Sequence, residues 1–185
     1  MNQRIAVPLP KSYLLLNHGP TVLVSSAHGA RRNVMAAAWS MALDFDPPKV
    51  AVVIDKATLT RELVDASGEF VLSVPSREQA AITLAVGTRS GREIDKFSIA
   101  GVGAAAASAV GAPLIEGCLA WLECRVIAEP HIQQAYDLFL AQVLAAWADP
   151  AAFSDGRWHF PDKQRRSIHY LAGGSFFATG DTFEV

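Results

Sequence analysis

The run RRNVMAAAWSMALDFDPPKVAVVIDK, from Arg31 to Lys56, decides how the rest of the chain is read. An alanine-heavy apolar stretch carries Asn33 and Trp39, and Asp46-Pro47-Pro48 and a valine-rich segment follow it. A core strand can hold a tryptophan and alanines, but the Asn33 amide has nothing to gain in an apolar core. Small side chains around one amide and one indole suit a backbone that must come close to a flat ligand. The two prolines cannot donate to a ladder, so they end the Asn33–Leu43 strand. KVAVVID then reads as a strand buried on both faces.

Working outward, SYLLLN and TVLVSSA read as strands divided by the His18-Gly19-Pro20 break. LTRELVDASG reads as a short helix, with Leu59 and Leu63 at i and i+4 and Gly68 as its stop. EFVLSVP is a further strand, and Ser76 with Gln79 forms a capping box for the helix REQAAITLAV. Between Gly87 and Gly103 the chain is rich in glycine and charge, a loop long enough to need a function or a partner. CLAWLECRVIAEP and AYDLFLAQVLAAWAD read as two long strands separated by Ala128-Glu129-Pro130, although the alanines of the second also fit a helix. SFFATG, after Gly173-Gly174, is the last strand. Strands outnumber helices and several follow one another without crossover helices, which predicts a β-barrel with a few small helices.

The 185 residues suffice for one domain, taken as residues 1–185, with a full core. With 51% hydrophobic and 18% charged residues the chain is not disordered, and a net charge of −2 offers no basic stripe for nucleic acid. No apolar run approaches a membrane span and no signal peptide is evident, which makes a cytoplasmic protein the expectation. Cys118 and Cys124 lack a Cys-x-x-Cys pairing and read as small apolar residues of a reducing compartment.

Catalytic templates are missing. There is no His-Glu-x-x-His, no Gly-x-Ser-x-Gly and no phosphate-binding P-loop, and the five histidines are scattered. No metal site and no side-chain catalyst is expected, which favours chemistry performed by a cofactor. Gly101-Val102-Gly103-Ala104-Ala105-Ala106, with Glu123 twenty residues past Gly103, imitates a dinucleotide fingerprint. The strand–turn–helix context that the fingerprint requires is broken by Gly111-Ala112-Pro113, so an alanine-rich loop or small helix is the better reading.

A phosphate could instead sit at the helix opening in KATLTRE, where Thr58, Thr60 and Arg61 add hydroxyls and a guanidinium to free N–H groups. The plainer alternative makes one threonine an N-cap and puts Arg61 on a solvated face. Arg89 and Arg92 beside Ser90-Gly91 either clamp a phosphate or keep the loop soluble. Trp39 is either a core or interface aromatic or a ring-stacking partner. Lys96 is either solvated and paired with Asp95 or part of a site.

Taken together, NVMAAAWSMALDFDPPKVAVVI, TRELVDASGEFVLSVPS, SGREIDKF and HYLAGGSFFATG resemble the flavin reductase-like FMN-binding split-barrel family, nearest its flavoredoxin branch. The resemblance runs from about Val22 to Gly180, with the blocks in the family's order and spacing. It implies a mainly β fold with small helices, the FMN-binding split β-barrel. It also implies that the strand bearing Asn33 and Trp39, with Ala36, Ala37 and Ala38 between them, lies along the flavin. By the same likeness Thr60, with Arg61 adjacent, holds the phosphate, Lys96 lies near the flavin, and Phe176 is the aromatic after the C-terminal glycines; the helix opening and the arginine loop add Thr58 and Ser90 to the expected cofactor-binding residues. Tyr136 stands where flavoredoxin-like sequences often carry histidine; it can still donate a hydrogen bond but does not titrate near neutral pH.

The implied activity is that of an NAD(P)H:flavin reductase, in which hydride transfer to flavin N5 needs alignment rather than an acid–base residue. The alternative is an electron carrier or flavin-binding protein with no nicotinamide site. FMN is the implied cofactor, with FAD as a second candidate and NADH or NADPH as the electron donor. The implied partners are a second copy in a homodimer, with the flavin near the interface, and a flavin-dependent monooxygenase or other redox protein.

Overall fold

The computed structural model describes residues 4–99 and 101–185; Ala100, inside the expected Gly87–Gly103 loop, lies outside them, as do residues 1–3. In chain order the first strands are β1 (Ile5–Ala6), β2 (Val22–His28), β3 (Arg31–Ala37), β4 (Ser40–Phe45) and β5 (Pro48–Val53). Helix α1 (Leu59–Ser67), β6 (Glu69–Val74) and α2 (Ala80–Thr88) follow, then the short β7 (Ala104–Ala105) and β8 (Leu114–Ile115). The long β9 (Ala120–Ile127) leads through α3 (Pro130–Tyr136) into β10 (Leu138–Ala148). The chain then forms β11 (Phe153–Ser154), β12 (Arg157–Trp158) and a hairpin of β13 (Ile168–Ala172) and β14 (Ser175–Ala178).

The main sheet runs β3-β2-β6-β9-β10-β5-β4, with β1 added to the far end of β10, and every pairing in it is antiparallel. Its two edges, β3 and β4, are consecutive in the chain, and only Ala38 and Trp39 separate them. Three virtual bonds reach no more than about 11 Å, so the sheet must curl until its edges meet at that end. The result is a mainly β, split-barrel arrangement, open between β3 and β4.

Alternation along the strands builds two cores. Val22, Val24, Phe70, Leu72, Leu122 and Phe139 fill the inside of the curl, whereas Leu23, Val34, Val71 and Trp121 face a second cluster with Val86, Leu114 and Ile115. Strands buried on both faces explain the unbroken apolar runs. Leu14, Leu15 and Leu16 also belong to the inner core, but from a 3-10 helix at Leu9–Leu15 and its cap, where a strand was expected. Pro8 and Pro10 suit a helical first turn, and leucines on successive positions plug the curl better than a strand with one buried face.

Other boundaries also differ from the sequence reading. The Asn33–Leu43 run divides at Ala38-Trp39 because the chain must change edges there. Pro48 opens β5 opposite Phe45, as its missing donor requires at a strand's first residue, and the Asp46–Pro47 bond between them is cis. Thr58 caps α1 by accepting the Arg61 N–H, and Gly68 ends the helix in the left-handed region at φ 70°. The Ser76–Gln79 capping box is present. Ala128-Glu129-Pro130 does not simply link two strands, since Pro130 opens the short α3. β13 went unread because its side chains show no alternation: only Ile168 is buried, Tyr170 and Leu171 are exposed, and the pairing with β14 skips Leu171.

Glu123, the residue that imitated a dinucleotide acid, has a structural role. Its buried carboxylate accepts the N–H and hydroxyl of Ser108 (3.0 Å each), the Ala109 N–H (2.5 Å) and the Trp147 indole N–H (2.7 Å). Burial opposes its charge, but these donors outweigh burial and hold the carboxyl below its ordinary range. The C-terminal hairpin is tied to the start of β2 by His18 to Ser167 (2.9 Å), His169 to the Gly19 carbonyl (2.9 Å) and the Tyr170 N–H to Thr21 Oγ1 (2.8 Å). Burial, then the neighbouring His169, pushes His18 down to about 4, so it stays neutral in this tether.

Glu123→Gln replaces an acceptor of four donors by an amide that must turn donors toward some of them. It should cost about 2–3 kcal/mol at neutral pH. Because the folded carboxyl lies below its unfolded value, its contribution is complete above the unfolded range and lost as pH falls through the folded one. Thermal unfolding against pH should therefore show the gap between wild type and variant closing in acid; a constant gap would remove the carboxylate from the account.

Candidate flavin site

Among the described residues β3 pairs with β2 on one side and with no strand on the other. Its outer edge, at about 3.3 Å per residue, offers roughly 23 Å of backbone from Arg31 to Ala38. A different environment marks each end of that edge and its middle.

At the first end Asn33 is buried, and its amide donates to Thr60 Oγ1 at 2.9 Å. Asn33 thus lies on a strand without joining the apolar core, and it fixes the first turn of α1 against β3. The loop after α2 closes over the pair: a Cβ on Gly91 would collide with the Asn33 carboxamide, so only glycine fits there. Arg31 and Arg92 both reach Glu62, at 2.5 and 2.7 Å, and Arg32 lies 4.2 Å over the Phe97 ring. Arg31, Arg32, Leu59, Gly91 and Arg92 line an open depression of about 600 Å³. Ser90, on the exposed loop, accepts the Arg92 N–H at 3.2 Å.

In the middle Lys96 is buried, and its Nζ donates to the carbonyls of Val34 (2.9 Å) and Val86 (2.7 Å). It braces β3 against the C-terminal turn of α2, where free carbonyls favour a cation. Burial lowers its pKa to about 8, which leaves it protonated at neutral pH. The solvated, Asp95-paired alternative is overturned, since Asp95 instead caps the 3-10 turn Lys96–Ser98 by accepting the Phe97 N–H.

At the far end a slot of about 140 Å³ is lined by Ala36, Ala38, Thr83, Leu84, Tyr170 and Phe176, among others. Gly87 lets α2 come close to the strand, since a Cβ there would sit 3.1 Å from that of Ala36. Phe176 and Tyr170 pair across the β13–β14 hairpin with rings 5.2 Å apart. Ala37 points the other way, into the inner core, and offers this edge only its backbone.

The remaining expected residues lie elsewhere. Trp39 is not in the core; it is 74% exposed at the junction of the two edges, where its carbonyl accepts the Val53 N–H at 3.0 Å. Tyr136, 65% exposed at the end of α3, has the His131 ring 6.2 Å away. Neither Thr58 nor Arg61 has its side chain free. Thr58 is the N-cap, and the Arg61 guanidinium is buried between Asp65 (2.8 Å), Asp137 (3.0 Å) and the Gln133 carbonyl (3.1 Å), 4.7 Å over Phe139. The solvated-face alternative for Arg61 therefore fails, and the residue ties α1 to the α3–β10 corner. Sequence reasoning passed over Arg31, Tyr170 and Glu62; the Arg31-Arg32 doublet just before Asn33 was the available signal.

Arg61→Ala leaves Asp137 without its closest cation and opens a gap beside Phe139. It should lower unfolding stability by about 2–4 kcal/mol, as expected when one member of a largely buried ion pair is removed. Denaturant titration checks this; a loss within 0.5 kcal/mol, the range of an ordinary surface change, would show that the strut is dispensable.

The fold has known relatives. A solved FMN-binding domain of a flavin reductase-like enzyme from Shewanella baltica superimposes with a TM-score of 0.96 at 48% identity, covering 100% of this chain and 98% of that one. An uncharacterized protein of Escherichia coli, YddH, is 43% identical over 183 residues, 97% of each chain. Flavoredoxin of Desulfovibrio vulgaris (Miyazaki F), at 24% identity and a TM-score of 0.78 over 90% of both chains, shares the fold. The flavin reductase-like domain model matches residues 15–168, and the chain belongs to that family.

Proposed function

We propose that this chain binds FMN along the outer edge of β3 and works as an NAD(P)H:flavin oxidoreductase. The observation that carries the reading is the two-ended character of that edge: one strand without an outer partner, an aromatic slot of small residues at one end, arginines at the other. An elongated ligand with a flat apolar ring and an anionic tail is complementary to it. The donor set fits FMN. Edge N–H groups and the Thr60 hydroxyl are polar and uncharged, and Lys96 is a buried cation with no carboxylate among its hydrogen-bond partners.

FMN, when bound, would accept a hydride from NADH or NADPH and pass the electrons on. The chain's part is to bind, orient and tune. Ala36 and Ala38 permit close approach of the ring, while Tyr170 and Phe176 wall the slot against water. Lys96 places positive charge beside the strand and favours an anionic, reduced ring over a neutral one. The lack of any catalytic triad suits a reaction governed by alignment. FAD, whose tail is longer, is compatible with the open depression at the arginine end.

The functional unit is proposed to be a homodimer of single-domain chains in the cytoplasm. Trp39, Met41, Leu43 and Phe45, on one face of β4 and the residue before it, are all exposed, an apolar stripe suited to a second copy. Among the described residues no helix is long and apolar enough to cross a membrane. A flavin-dependent monooxygenase or another redox protein is the proposed recipient of the electrons. The second reading is a flavoredoxin-like carrier that holds FMN without a nicotinamide site.

Gel filtration after addition of FMN should leave oxidised-flavin absorbance with the protein, and NADH or NADPH should then bleach it. Retained flavin that neither nicotinamide reduces favours the carrier; loss of all flavin refutes the proposal. Lys96→Met should weaken binding of reduced FMN more than of oxidised FMN, by about tenfold for one lost charge–charge contact of 1.4 kcal/mol. An equal effect on both forms would defeat the electrostatic role.

A further inference from the structure

The phosphate end of the site raises a question that its neutral residues leave open. The nearest expected guanidinium, Arg61, is wholly engaged in ties to Asp65, Asp137 and the Gln133 carbonyl. An anionic tail must therefore find its charge elsewhere. Arg31 and Arg92 come from separate elements, the start of β3 and the loop after α2, yet both close on the single carboxylate of Glu62. All three are neighbours of the buried Asn33–Thr60 pair: Arg31 two residues before Asn33, Glu62 two after Thr60, and Arg92 next to Gly91, which closes over Asn33.

The charge count of the depression makes this arrangement consequential. Arg31, Arg32 and Arg92 line it with Glu93 and Asp95, and Glu62 adds a third carboxylate through the two arginines. Three guanidiniums thus face three carboxylates. The Glu62 carboxylate takes one Nη1 donor from each arginine, donors that a phosphoryl oxygen would otherwise use, since carboxylate and phosphoryl oxygens both accept from guanidinium. The ion pairs are half exposed, so exchange of one anion for another costs little.

We infer that the Arg31–Arg92 clamp is the phosphoryl-recognition element of this chain and that Glu62 is its internal competitor, a specificity-determining residue setting how strongly phosphorylated ligands are preferred over unphosphorylated ones. The inference rests on the flavin reading for the identity of the ligand, but not for the anion chemistry. A phosphoryl group displaces the Glu62 carboxylate from one or both arginines. The preference for FMN over riboflavin is then held below the value that the arginines alone would give. Arg32 is held apart by the Phe97 face and contributes field rather than a fork.

The experiment compares wild type, Glu62→Gln and Arg31→Ala/Arg92→Ala with three probes: FMN, riboflavin and inorganic pyrophosphate, the last followed by its effect on thermal unfolding. Glu62→Gln should tighten FMN by about tenfold and leave riboflavin unchanged, one charge-assisted contact's worth. The double arginine variant should weaken FMN by a similar factor, again without effect on riboflavin. Pyrophosphate should raise the unfolding temperature of wild type, more so in Glu62→Gln, and not at all in the double variant. FMN and riboflavin binding whose ratio is the same in all three proteins overturns the clamp and leaves the flavin reading intact. Pyrophosphate stabilisation that follows the expected order without binding of either flavin upholds the clamp and overturns the flavin reading. All the exchanged side chains are at least partly exposed, and unchanged unfolding of the free variants confirms that binding alone is being read.

Discussion

The architecture depends on a connection two residues long. Ala38 and Trp39 carry the chain from one edge of an antiparallel sheet to the other, so the sheet has no choice but to curl. Curling puts apolar side chains of every central strand into one of two cores, inside or outside. It also prevents β3 and β4 from pairing with each other along their length, which is what leaves the outer backbone groups of β3 without a strand partner. In an ordinary sheet such an edge is a liability. Here α1, α2 and the C-terminal hairpin are drawn up around it.

Three sets of polar contacts hold those surroundings in place, each linking an element to β3 or to the residues that lead into β2. The Asn33–Thr60 bond sets α1, Lys96 sets the last turn of α2 against Val34, and the His169 and Thr21 contacts set the hairpin. None is a strong ion pair. Apart from the exposed His169–Gly19 contact, each is a buried or half-buried hydrogen bond whose partner would be left unsatisfied if it opened, so geometry is enforced by the cost of breaking rather than by the gain of forming. Gly87 and Gly91 add a steric constraint, admitting backbone where any side chain would push the elements apart.

Much of this was legible in the residues. Asn33 in an apolar run was correctly read as a residue that a core would not want, and the Thr58 and Gly68 ends of α1 follow from their own chemistry. The burial of both faces of KVAVVID was evident from its lack of alternation. What could not be read was how long-range partners spend a functional group. Arg61 and Lys96 look equally available in sequence, yet one is consumed by Asp137, 76 residues away, and the other by two carbonyls. The break at Ala38-Trp39 was hidden because nothing local stops a strand there; closure of the sheet does. The 3-10 helix at Leu9–Leu15 was missed for a related reason, since an apolar run that plugs the end of a curl has no periodicity to display.

The C-terminal hairpin adds a consequence in the order of synthesis. Tyr170 and Phe176 supply the aromatic wall of the slot, and they are anchored to Gly19 and Thr21 across separations of about 150 residues. Every strand of the main sheet precedes Ile168, so a nascent chain can close its cores before that wall has left the ribosome. The slot is completed last, as a final fold-over onto a body already formed. The match to the family's domain ends at this same residue. The hairpin is therefore the segment whose change would reshape the slot without the barrel having to be rebuilt.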